Sequence, residues 1–137
     1  MSIHLEIVTP ERKVFSDDVA NVYLPGADGE MGVLSLHEAL VTALVAGELR
    51  YEKDGRTEEF AIGGGFAEVT QHAVTVLTDS AAQADEIDEA VVAAAIERAK
   101  TELEGIDLSK DPAEHQRAQE VLLRNEALLR LVTKTKG

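Results

Sequence analysis

The sequence of residues 85–104 is DEIDEAVVAAAIERAKTELE, which contains neither glycine nor proline. Apolar side chains recur at every fourth position of this stretch, at Ile87, Val91, Ala95, Ala99 and Leu103. This spacing predicts a helix with one apolar face. Before residue 84 the pattern is different, because apolar and polar residues alternate and glycines separate short runs. The change of period predicts a β-domain over residues 1–84 and a helical hairpin over residues 85–137.

The β-domain has the pattern of about 8–10 short strands separated by turns. Residues 3–8 alternate strictly, and residues 13–24 have an extended pattern with a bend expected at residues 17–18. Many short strands at this spacing predict an antiparallel β-sandwich. Three consecutive glycines at 63–65 indicate a bulge or a close approach of two backbones.

The C-terminal part is predicted to be an antiparallel hairpin of two helices, which makes the fold class α+β. Either Asp85 or Asp88 is placed to cap the first helix, and Asp111 followed by Pro112 is typical of the start of the second. The connection between them is short, so the helices are expected to lie antiparallel. Because the first helix is rich in alanine, which buries little area, we expect the hairpin to be held only modestly against the sandwich.

Composition excludes several classes of function. The net charge is −13, which disfavours binding to nucleic acid or to anionic lipid headgroups. The chain has no cysteine and therefore no disulfide framework and no cysteine-based zinc site. We also expect no signal peptide and no membrane span, so that any association with a membrane is through a partner.

No catalytic or cofactor-binding motif is present. The four histidines are scattered singly, without a second ligand at metal-binding spacing, so no metal site and no cofactor are expected. The glycine run lacks the residues of a phosphate-binding loop. One segment, residues 26–37, has the pattern of a shaped loop in which glycines flank Glu30 and an apolar strand leads to His37. From spacing alone, a solvated turn residue and an edge histidine are an equally good interpretation.

The whole chain resembles the epsilon subunit of bacterial and chloroplast-type F-type ATP synthases. The segments that carry the resemblance are residues 7–15, 29–34, 40–44, 64–69, 74–79 and 87–90, together with His37. The resemblance implies a non-catalytic subunit of the central stalk with a β-sandwich and a two-helix hairpin. It also implies three partners, namely the gamma subunit, the c-ring and the alpha/beta catalytic subunits, and a peripheral place at the cytoplasmic face of the bacterial membrane.

The resemblance assigns roles to individual residues. It implies that Glu30 and His37 contact polar loops of the c-ring while the sandwich binds gamma, so that rotation is coupled to ATP synthesis. It implies that an extended hairpin inhibits ATP hydrolysis. The hairpin cations that would then face the catalytic subunits are Arg117, Arg124, Arg130 and Lys134.

The alternative function is an ATP-sensing module on the hairpin. Its candidate residues are Asp88, Arg98 and Arg130. The family's pattern of Ile/Leu-Asp-x-x-Arg-Ala is incomplete here, because Val91 and Val92 stand where arginine and alanine are expected. We therefore expect weak ATP binding or none.

Overall fold

The computed structural model describes residues 2–34, 36 and 38–136, with side chains up to residue 133. Within these residues, ten strands precede a 3₁₀ turn and two helices. The strands are β1 (Ile3–Val8), β2 (Lys13–Val19), β3 (Asn21–Gly26), β4 (Gly29–Leu34), β5 (Leu40–Leu44), β6 (Gly47–Lys53), β7 (Arg56–Ile62), β8 (Gly65–Val69), β9 (Ala73–Thr78) and β10 (Ala81–Ala82). The 3₁₀ turn is Ala84–Glu86, and the helices are α1 (Glu89–Gly105) and α2 (Pro112–Lys136).

The strands form two layers joined at one corner. The hydrogen-bonded order is β10-β7-β6-β3-β5-β8-β9-β1-β2, with β4 paired to the other edge of β3. Strands β3 and β5 share the single pair Gly26 and Leu44, which is where the sheet folds over on itself. The predicted sandwich is thereby confirmed. One pair, β1 with β9, is parallel, and it joins strands too far apart in sequence for a turn to connect them.

The core lies between the two layers. Alternate residues of β1 are completely buried, and the same period of two continues in β3, β6 and β9. On the open side the layers are closed by aromatic rings, because Phe15 of β2 lies 4.8 Å from Tyr51 and 5.8 Å from Phe60 between ring centroids. The core therefore consists mainly of Val, Leu and Ile, and Tyr51 and Phe60 are the aromatic residues buried in it.

The glycine run marks a close approach of backbones, as predicted. A Cβ atom added to Gly65 would lie 2.0 Å from the carbonyl oxygen of Leu77 on the paired strand. Beside it, the buried Thr78 hydroxyl lies 3.0 Å from the Gly63 carbonyl oxygen and 3.1 Å from those of Gly64 and Ser80. This hydroxyl is the hydrogen-bond donor to a group of backbone oxygens at the end of β9.

Polar side chains tie β1 to the edge strand β2 on their outer face. The ring of His4 donates a 2.8 Å hydrogen bond from Nδ1 to Oδ1 of Asp18. Its other nitrogen, Nε2, lies 3.3 Å from Oε1 of Glu6. The hydrogen bond to Asp18 raises the pKa of His4 above 6.5, and Glu6 adds to the effect. Protonation of this histidine therefore strengthens the attachment of the edge strand.

The two helices form the predicted hairpin, and it lies folded on the outer face of β6 and β7. Helix α2 contacts both strands, whereas α1 packs against α2. The docking contact consists of Ala61 on β7 and Ala127 and Leu131 on α2, all buried. Ala61 points outward from the sandwich, so it is buried only because the helix covers it.

Two predictions are corrected by the structure, and the choice of N-cap for α1, which the sequence left open between Asp85 and Asp88, falls on Asp88. The bend lies at Ala20 between β2 and β3, whereas residues 17–18 pair regularly with β1. Helix α1 begins at Glu89, because Asp88 is the N-cap and accepts hydrogen bonds from the amides of residues 90 and 91. Val91 is 60% exposed, and the buried face is Val92, Ile96 and Ala99. Steps of four residues turn by about 40° beyond a full circle each, so the predicted stripe drifts off the buried face.

Candidate functional site

Glu30 lies at the start of β4, next to the turn that joins it to β3. It is exposed and forms an ion pair with Arg50 of β6. The Arg50 guanidinium also lies 4.8 Å above the centre of the Tyr23 ring, and the Glu30 carboxylate raises the pKa of Arg50. The carboxylate predicted to meet the c-ring is therefore presented at a strand end and held by a cation of its own layer.

The second residue of that prediction, His37, lies outside the described residues. It follows β4 in the chain, whereas Glu30 is near the beginning of that strand. Whether the two side chains form one surface therefore stays a prediction.

Two of the hairpin cations are engaged with the sandwich. The Nη1 atom of Arg124 lies 3.7 Å from Oδ2 of Asp79. The Nε atom of Arg130 lies 3.5 Å from Oε1 of Glu48. Arg117 is exposed near the start of α2. The side chain of the remaining cation, Lys134, lies outside the described residues.

The candidate ATP ligands are engaged in separate contacts. The Asp88 carboxylate caps α1 by accepting from backbone amides, at 3.1 Å from the amide of Ala90. Arg98 is exposed about 15 Å further along the same helix, from the rise of ten residues. Arg130 is paired with Glu48 as above. The alternative function therefore gains no support from the geometry and stays a prediction.

An exposed apolar patch on the sandwich was missed by the sequence analysis. We use the name apolar patch for Val41, Ala43, Phe66 and Leu77 on the outer face of β5, β8 and β9. Ala43 pairs with Phe66, and Phe66 pairs with Leu77, so the side chains form a continuous row across three strands. Val41, Phe66 and Leu77 are 70%, 58% and 51% exposed. The sequence carried part of the signal, because Ala43, Phe66 and Leu77 each stand next to a buried apolar residue of the same strand, namely Leu44, Ala67 and Val76.

Other kinds of site receive no support within the described part of the chain. No group of three or more His, Asp or Glu side chains is arranged there to hold a metal ion. No described helix combines the length and apolar character that a membrane span requires.

Comparisons with known proteins place the chain in a family. The profile described as "ATP synthase, Delta/Epsilon chain, beta-sandwich domain" matches residues 2–84. A protein named ATP synthase epsilon chain from Nitratidesulfovibrio vulgaris is 43% identical over 130 residues, covering 95% of each chain. The chain belongs to the ATP synthase epsilon family. The resemblance deduced from the sequence is confirmed, and the chain is a subunit of an ATP synthase rather than its catalytic subunit.

Further relatives agree. An ATP synthase epsilon chain from Roseiflexus sp. (strain RS-1) is 56% identical over 95 residues, which are 69% of this chain and 68% of the relative. Among solved structures, a chain of the Euglena gracilis mitochondrial ATP synthase, in an assembly described as OSCP/F1/c-ring, matches with a TM-score of 0.78 and 30% identity. That match covers 93% of this chain and 79% of the other. A chain of the Tetrahymena thermophila central stalk and c-ring shares the fold, with a TM-score of 0.58 and 14% identity. This epsilon-family chain is therefore part of the F1 stalk of a membrane-associated complex.

Proposed function

We propose that this chain is the rotor subunit that joins gamma to the c-ring and couples rotation to ATP synthesis, and that its hairpin restrains ATP hydrolysis. Residues 1–84 supply the coupling unit and residues 85–137 the regulatory unit. The complex lies at the cytoplasmic face of the bacterial membrane. The apolar patch is the single observation that carries the coupling function most directly.

The apolar patch is suited to a permanent partner. Large apolar side chains in a continuous row are a poor surface for a monomer, whereas single exposed ones need no explanation. Phe66 and Leu77 are neighbours across two strands, and Val41 extends the same face. We assign this surface to gamma, because a contact that transmits torque needs a broad apolar area that does not slip.

Glu30 and His37 are assigned to the c-ring. A carboxylate at a strand end is well placed to form charge-assisted hydrogen bonds with cationic side chains of a polar loop. In the chain without a partner, Glu30 forms an ion pair with Arg50, which a cation of the partner would have to replace. This contact would fix the angular position of the sandwich on the ring.

The hairpin is assigned to regulation, because the contacts that hold it are few and exchangeable. Exposed ion pairs such as Arg124 with Asp79 contribute about 0–1 kcal/mol each. The buried centre of the docking contact is small, because it consists of Leu131 and two alanines, with Ala84, Ile87 and Leu128 packed against it only partly buried. Extension would release Arg124 and Arg130, and with Arg117 and Lys134 they would face an acidic segment of a catalytic subunit.

The coupling function is tested by binding of the full chain to gamma. Phe66→Glu places a charge in the apolar patch, whereas Leu123→Glu alters a 41%-exposed leucine on α2. We expect Phe66→Glu to weaken gamma binding by at least tenfold at unchanged thermal stability. Leu123→Glu should bind as the wild type does. Equal binding by Phe66→Glu would overturn the assignment of this face.

The regulatory function is tested by locking the hairpin. Cysteines introduced at Ala61 and Ala127, which belong to one buried cluster, can be joined by oxidation to a disulfide or by a short cross-linker with two thiol-reactive groups. In an ATP synthase depleted of its epsilon subunit, the locked chain should restore coupling without inhibiting hydrolysis, and the single-cysteine controls should inhibit. Inhibition by the locked chain would refute the role of the extended hairpin.

A further inference from the structure

A row of alternating charges connects the hairpin to the turn that carries Glu30. Arg130 of α2 lies 3.5 Å from Glu48 of β6, and Glu30 of β4 pairs with Arg50 of β6. Glu48 and Arg50 are two residues apart on the same outward face of β6. All four side chains line one surface groove beside the turn between β3 and β4.

Arg50 is the centre of this row. Besides Glu30, it lies beside Glu59, its cross-strand neighbour on β7, and above the ring of Tyr23. Its distance along the strand from Glu48 is about 6.6 Å for two residues, which the long arginine side chain can span. Arg50 is therefore within reach of carboxylates on both sides.

Glu48 is the member most affected by the hairpin. Its side chain is 17% exposed, whereas that of Arg130 is 57% exposed. A carboxylate with little access to water depends strongly on a nearby cation. With the hairpin docked, Arg130 supplies that cation, and Arg50 is a second cation within reach of the same carboxylate. An Arg50 released from Glu30 would therefore compete with Arg130 for Glu48.

We propose that Arg50 and Glu48 link the Glu30 turn to the docked hairpin. When a cationic loop of a partner binds Glu30, the docking of the hairpin on the sandwich becomes weaker. The proposal rests on the proposed function in its assignment of Glu30 and the hairpin. A partner cation that takes Glu30 frees Arg50, and Arg50 then turns to Glu48. In the docked state Arg50 and Arg130 would share the Glu48 carboxylate, whereas in the undocked state Arg130 no longer competes for it.

The link is reciprocal. A change at Glu30 that favours hairpin release implies that hairpin release loosens Glu30 from Arg50 by the same factor. Attachment to the rotor and extension of the hairpin would thus favour each other. A free chain, with Glu30 held by Arg50, would keep its hairpin folded.

The test uses the isolated full chain and needs no partner. Since the chain has no cysteine, Ala61→Cys gives one thiol that lies beneath α2 and reacts when the hairpin lifts. In this background we compare the labelling rates of Glu30→Gln and of Glu68→Gln, which removes the same charge on β8 in the other layer. Glu30→Gln should label roughly two- to fivefold faster, the factor set by one exposed ion pair, and Glu68→Gln should label as the parent does.

The decisive comparison is conditional. When Arg50→Gln is already present, Glu30→Gln should change the labelling rate of the thiol by less than about 1.5-fold. The same small change is expected when Glu48→Gln is already present. An undiminished effect in both backgrounds, or no effect of Glu30→Gln in the parent, overturns the proposal. Hydrogen exchange of α2 amides in the cysteine-free chain repeats the comparison if Ala61→Cys itself loosens the hairpin. A negative result here leaves the gamma-binding and locked-hairpin results untouched, so the two proposals fail separately.

Discussion

Truncation of Leu131 to alanine should release the hairpin without unfolding the sandwich. Leu131 is 3% exposed and is the largest fully covered side chain of the docking contact, where it lies with Ala61 and Ala127. At about 0.8 kcal/mol per buried carbon, the loss of three carbons weakens docking by roughly 2 kcal/mol. That free energy corresponds to about a 30-fold increase in the undocked fraction. The core between the sandwich layers contains no atom of this side chain, so its stability should change little.

The assay is again the reactivity of a single thiol at position 61, compared in the presence and absence of Leu131→Ala. The matched control is Leu123→Ala on the same helix, where the leucine is 41% exposed and lies outside the docking contact. We expect labelling to be about 30-fold faster for Leu131→Ala and within about twofold of the parent for the control. If Leu131→Ala labels at the parent rate, the docking contact is not what holds the hairpin. If the two leucines have equal effects, general loss of helix stability is the cause.

Three further predictions concern the sandwich. Gly65→Ala should lower the free energy of unfolding, measured by denaturant titration, by more than about 2 kcal/mol, because the new Cβ would lie 2.0 Å from a backbone oxygen. The control is Gly105→Ala, whose Cβ would lie in open space, and it should leave the free energy of unfolding unchanged or raise it. Thr78→Val should cost about 1–3 kcal/mol and Thr78→Ser clearly less, since only serine keeps the hydroxyl donor; equal losses would contradict that role. Because the hydrogen bond to Asp18 raises the pKa of His4, the stability advantage over Asp18→Asn should be complete below pH 6.5 and should be lost as the pH rises through the raised pKa. An NMR titration of the His4 ring that gives the same pKa in both proteins would contradict this.

Much of the fold could be predicted because its signals are local. Alternation in 3–8 and the start at Pro112 depend on nearest neighbours along the chain, and both are confirmed. The bend at Ala20 was misplaced, since consecutive strands with little turn chemistry between them look like one extended segment. The exposure of Val91 was missed because a stripe with a period of four residues drifts around a helix that has about 3.6 residues per turn.

The candidate sites divide in the same way. The sequence supplied Glu30 and the hairpin cations, through residue types at matching positions. It did not supply the partners Arg50 and Glu48, which lie on a different strand from Glu30 and on a different element from Arg130. The apolar patch was also missed, because which face of β8 is covered depends on where the other layer lies.

The sequence by itself determined the two-part architecture, the class of protein and the absence of catalytic motifs, because periodicity and motif order are properties of the chain. Only the tertiary structure decided that the hairpin lies on β6 and β7, that Ala61 is buried on an outward face, and that Arg130 and Glu30 are connected through one strand. These facts depend on contacts between residues far apart in sequence. Such contacts form when whole elements pack, and no local pattern encodes which outer face a helix will cover.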